Sequence, residues 1–322
     1  MSRVVLVVFA IGTVFLAPTL ATTSVASSGE VLHGSVHSLA ANNPHLPPTT
    51  SAPPLYSHGG SVETVPGVYI SYWGTEWING FSTGGVPSTA AQTYVNDFFG
   101  GLGGNAWVDS TTQYCQGVAS GTVTCPATAA HVTNPANQLA GVWEDPTVVP
   151  ALPSGADITN AAIRLEQHFG YNVNATYFVL SPSGKSELGF GTSWCAWHSA
   201  AYAPTSKHGK SGVMAYAYVP YQPDAGSSCG MNFVNRKQGP LHQGYFDGFS
   251  IVAGHEYAEA ITDPVPMQGW GDQYSSENGD RCAWSRLSAD ITVGGKYFAV
   301  QPLWSNAMNA GAGGCAMSGI SG

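Results

Sequence analysis

Residues 247–264 read DGFSIVAGHEYAEAITDP, and their polar positions are spaced as a metal-binding helix spaces them. His255 and Glu259 are four apart, so on an α-helix they share a face one turn from each other and can hold one ion together. Glu256 projects beside them, where a carboxylate can take a proton from a metal-bound water. This is the His-Glu-x-x-His helix of zinc peptidases with a carboxylate in place of the second imidazole, and zinc accepts either donor. Ile251, Val252, Ala258 and Ile261 give the same helix an apolar face, predicting a buried helix over about 247–262 that Pro264 ends. Carboxylates buried that close together need a metal or partners to offset desolvation.

A third ligand is expected a short loop downstream, where SSENGDRCAW supplies Glu277 and Asp280 just before Cys282. Glu277 follows Glu259 at close to the gluzincin interval and has the longer arm. Asp280 lies nearer a cysteine whose disulfide would fix its backbone. Both stay open as ligands, with Glu277 preferred. Zinc is the expected ion, because His255 is a poor calcium ligand.

Upstream, 65–73 (VPGVYISYW) has the β-branched and aromatic density of a buried strand. Ser88 then caps a helix carrying Ala91, Tyr94, Val95 and Phe98 on one face, stopped by the glycines of 100–104. A Thr-rich hairpin is expected over 108–126, and a second helix, capped by Asp157, runs to Gly170. Strands follow at 175–180 and 212–219, flanking a long Gly- and Ser-rich loop with Cys195 and Trp197, and another lies at 296–304. No internal repeat is found. The fold predicted is α+β, a zincin-like mixed sheet with flanking helices and a loop-rich C-terminal part.

The chain has 322 residues, of which only 9% are charged and 43% hydrophobic, so a sizeable core is available and wholesale disorder is excluded. A net charge of -9 with ten Lys and Arg leaves no basic surface for nucleic acid. Residues 1–26, with Arg3, an apolar run and small residues at Ala21 and Ala26, have the layout of a secretory signal peptide. Polar, proline-bearing residues 27–55 then read as a flexible leader or short propeptide, and 56–322 as one secreted domain, monomeric and free of the membrane. Six cysteines in an exported chain favour three disulfides. Cys115 with Cys125 follows from proximity, and Cys195 with Cys229 and Cys282 with Cys315 from order along the chain.

Other candidates are weaker. His198, His208 and His242 fall in Gly- and Ser-rich loops and read as solvated side chains. No G-x-S-x-G elbow supports a serine hydrolase. Eight of the nine tryptophans (73, 77, 143, 194, 197, 270, 284 and 304) include candidates for a sugar-stacking platform, although most are expected in the core.

Taken in order, several segments resemble the Exordium-like, or phosphate-induced, family of secreted proteins. They are Tyr56-Ser-His-Gly-Gly60, Val68-Tyr-Ile-Ser-Tyr-Trp-Gly74, Tyr177-Phe-Val-Leu180, Gly254-His-Glu-Tyr-Ala-Glu259 with Asp263-Pro264, Glu277 to Cys282, and Gln301-Pro-Leu-Trp304-Ser-Asn306. Family members carry a His-Glu-Leu-Ala-Glu string followed by Glu-Ile-Ala-Asp-x-Cys, matched here by His255, Glu256, Glu259, Glu277, Asp280 and Cys282. Asn278 and Gly279 replace the apolar-small pair. The resemblance implies an extracellular protein associated with the cell wall or growth signalling. Two functions are therefore expected: a secreted zinc-dependent peptidase-like hydrolase acting on peptide or protein, with Glu256 as base, or a non-catalytic extracellular protein acting at cell-wall material or the cell surface.

Overall fold

The computed structural model describes residues 37–40, 52–204, 209–236 and 239–319. The expected signal peptide and His208 lie outside the described residues. The chain forms a six-stranded mixed sheet with helices on both faces, and a period-2 pattern divides its central strands between two cores.

Strand β1 is His37–Ala40, β2 Gly67–Trp73, β3 Leu139–Asp145, β4 Ala175–Leu180, β5 Trp194–Ala203 and β6 Gly212–Val219. The sheet order is β1-β5-β6-β4-β2-β3. From β6 to β3 the neighbours are parallel, while β5 runs antiparallel to β6 and β1 antiparallel to β5. Val68, Ile70, Tyr72, Phe178, Leu180, Ala217 and Val219 face one core. Trp73, Tyr177, Val179, Tyr216 and Tyr218 face the other.

Helix α1 (Ser88–Leu102) and helix α3 (Gln243–Thr262) pack on the first face, and helix α2 (Gly155–Phe169) on the second. Nineteen of the twenty residues of α3 are buried. The helix lies between strands β5 and β6, helix α1 and the hairpin of β7 (Ala289–Val293) and β8 (Lys296–Val300), so no side of it is left for water. All three disulfides pair as the cysteine order predicts. Among the described residues no helix is long and apolar enough to cross a membrane.

Several local expectations are corrected. The expected leader contributes β1 to the sheet edge, because strand pairing uses main-chain groups and needs no apolar signature. Ser88 does not cap α1; its hydroxyl accepts the Phe81 N–H instead. In α2 the cap is Ser154, with Asp157 as its reciprocal partner in a capping box. The expected hairpin at 108–126 is a 3-10 segment, Val108–Gln113, followed by Cys115–Gln116 paired with Ala130–His131. The expected long loop holding Cys195 and Trp197 contains β5, ten residues with both faces covered. Eight of the nine tryptophans are buried, and the ninth, Trp143, stacks on His168, so they build cores rather than a sugar platform.

Candidate metal centre

Helix α3 brings His255, Glu256 and Glu259 into the interior, and all three are fully buried. His255 Nε2 stands 3.0 Å from Glu259 Oε1, so the four-residue spacing delivers the contact expected of it.

The downstream loop closes over this pair. Asn278 donates its side-chain amide to the Ala258 carbonyl at 2.9 Å and to Thr262 Oγ1 at 3.2 Å, which pins the loop to the last turns of α3. Gly279 passes so close that a Cβ there would stand 2.8 Å from His255 Nδ1 and 2.9 Å from Glu259 Oε1. Asn278 and Gly279 are thus the two residues that seat the loop. Asp280 begins a 3-10 turn, Asp280–Cys282, that the Cys282–Cys315 disulfide anchors. Its backbone N–H donates to Glu259 Oε1 at 3.0 Å, and its Oδ1 lies 3.7 Å from His255 Nε2. Asp280 is the one exposed member, with 25% of its side chain accessible.

His198 was expected to be a solvated loop residue and is a fully buried residue of β5. It pairs across the sheet with Ala217, whose side chain belongs to the core under α3, and so it points at that helix. Its Nδ1 lies 3.2 Å from Glu256 Oε2 and 3.5 Å from Glu259 Oε2, and its Nε2 lies 3.7 Å from Glu277 Oε1. The available signal was a run of ten residues, Trp194–Ala203, without Gly or Pro. Glu277 therefore meets His198, while Asp280 meets His255.

The donors fit a divalent ion. Four donors around zinc at 2.0–2.1 Å lie about 3.3–3.4 Å from one another. The separations of 3.0 and 3.7 Å around His255 and of 3.2 and 3.5 Å around His198 Nδ1 bracket that spacing. The other nitrogen of His255 has an acceptor, as metal-bound histidines almost always do. For His255 Nδ1 it is Gln301 Oε1 at 3.2 Å, while Gln301 Nε2 donates to the Gly279 carbonyl at 2.7 Å. Glu277 Oε1 stands 3.7 Å from His198 Nε2, too far for a hydrogen bond.

Without an ion, protons have to balance the cluster. Burial by itself would lower the His255 imidazole, but Glu259, Glu256 and Asp280 outweigh it and raise its pKa to about 10. Burial likewise opposes protonation of His198, and Glu256 and Glu259 raise it to about 10. Burial raises the carboxyls of Glu256 and, with the neighbouring carboxylates, of Glu277. It also acts to raise Glu259, yet the two imidazoles hold Glu259 far below the usual range. Desolvation raises the buried Glu63 carboxyl well above the usual range, and it accepts the Thr176 hydroxyl at 2.9 Å. Asp263 serves the turn after α3, accepting the N–H groups of Met267, Gln268 and Gly269.

Compared with known proteins, the chain matches no family model, no curated protein and no solved structure.

Proposed function

We propose that this chain is a secreted zinc-dependent hydrolase of the peptidase type, with the metal held by His255 Nε2, Glu259 Oε1 and Asp280 Oδ1. The observation that carries the reading is a coordination-spaced triad on a buried helix, with Glu256 next in sequence to its histidine. Bound zinc supplies a Lewis acid that polarises a carbonyl and brings a bound water to a pKa near 7. Glu256 has a proton-accepting lone pair to offer: Oε2 faces His198, while Oε1 takes no hydrogen bond among the described residues. Gln301 orients His255 and the loop carbonyl together, so it is a positioning residue. The partly exposed Asp280 marks the side from which a peptide substrate would approach. A parallel sheet with an antiparallel edge, leading into this helix, is similar to a zincin amino-terminal subdomain and supports the same reading. Three disulfides support an extracellular setting.

The test pairs metal analysis with one variant. Zinc-loaded protein should retain zinc through desalting, and Glu256→Gln should abolish cleavage of a mixed peptide library while keeping the zinc of the His255 triad. Less than about 0.2 equivalents of zinc sinks the proposal.

A second reading is favoured by closure, since five of the six clustered groups are at most 1% exposed. In it the centre is structural, stapling α3 to β5 and the C-terminal loop of a non-catalytic extracellular protein of the Exordium-like type. Intact biological activity in Glu256→Gln would select it.

A further inference from the structure

We propose that the cluster is a dinuclear centre, in which a second divalent transition ion sits between His198 Nδ1, Glu256 Oε2 and Glu259 Oε2, and Glu259 bridges the two ions. The inference rests on the reading of the His255 triad as a metal site and extends it.

Two observations carry it. The two carboxylate oxygens of Glu259 face different imidazoles: Oε1 is 3.0 Å from His255 Nε2 and Oε2 is 3.5 Å from His198 Nδ1. That is the disposition of a bridging carboxylate, and it creates two triads with one shared member. The second triad is also enclosed: His198, Glu256 and Glu259 are fully buried, and Glu256 Oε2 stands 3.2 Å from His198 Nδ1.

The donor set, one imidazole and two carboxylates, is of the borderline nitrogen-oxygen kind that takes zinc, cobalt or manganese rather than soft ions. Glu256 holds the second ion through Oε2 and keeps Oε1 for a proton, so the added ion fixes the base instead of displacing it.

The experiment is a zinc titration of the full secreted chain after chelator treatment, read by metal analysis after desalting. Two equivalents are expected, falling to one in His198→Ala and one in His255→Ala. Saturation at one equivalent, or two equivalents retained in His198→Ala, overturns the dinuclear centre and leaves the zinc reading standing. No bound zinc overturns both. A cobalt titration of the unaltered chain keeps the test independent of how the variants fold. The paramagnetic signal should grow to the first equivalent and then fall through exchange across Glu259, and a signal that doubles refutes the bridge.

Discussion

Helices α2 and α3 lie on opposite faces of one sheet and obey different rules. Helix α2 presents Ile158, Ala161, Ala162 and Leu165 to the core, with Thr159 and Glu166 buried beside them, and Asn160, Gln167 and His168 to water, and Ser154 with Asp157 closes its first turn. It is a helix that local sequence stabilises. Helix α3 has no side-chain cap, begins after His242 in the left-handed region at φ 57°, and is buried on every side. What holds it is tertiary packing, and that burial turns His255, Glu256 and Glu259 from surface residues into a site. An amphipathic helix can lose one polar residue cheaply, whereas an enclosed one carrying charge depends on all its partners together.

The sharpest break of this comparison is at Glu259. Glu259→Gln should lower zinc affinity by at least about 10³-fold, well beyond the 10- to 100-fold of a supporting residue, because both imidazoles lose the carboxylate they share. Competition with a chromophoric chelator measures it, and an effect below tenfold would place Glu259 outside the coordination set.

Gly279→Ala comes next. Its Cβ would press on His255 Nδ1 and Glu259 Oε1, and the loop pinned by Asn278 has little room to yield. Zinc affinity should fall about 10- to 100-fold, as for lost support around a ligand, with thermal stability of the zinc-free protein reduced as well.

A pH series sharpens the contrast further. In the zinc-free protein both imidazoles hold protons up to about pH 10, and zinc must displace them. Apparent affinity should therefore rise by about tenfold or more per unit between pH 7 and 9, with proton release seen in the calorimetric buffer dependence. The sign follows from linkage: the metal-free state binds more protons, so raising pH favours the metal-bound state. A flat profile over that range would mean that the imidazoles are already neutral before zinc binds.

The smallest effect is expected across the sheet. Ser154→Ala removes the cap of α2 and should cost about 1 kcal/mol in denaturant unfolding, leaving zinc affinity unchanged. A change in zinc binding would show that the two faces communicate.

These contrasts also explain what was legible in the chain. The spacing of His255 and Glu259 announced the contact between them, because a helix converts sequence distance into geometry without outside help. Disulfide pairing followed from cysteine order. Strands β2, β4 and β6 stood out through their β-branched and aromatic content. Strand β5 did not: both its faces are covered, so WCAWHSAAYA shows no clean alternation, and flanking glycines and serines made it read as loop.

With that strand hidden, His198 was placed in solvent, and the partners of Glu256 and Glu277 went with it. By itself the sequence determined the helix, its ligand-type residues and the export-type chemistry of its cysteines, since each depends on neighbours within a few turns or on composition. Tertiary structure alone decided that His198 faces α3, that Asp280 rather than Glu277 meets His255, and that Asn278 and Gly279 seat the loop over both. Those contacts join residues about twenty to eighty apart, and only the stacking of helix on sheet brings them together.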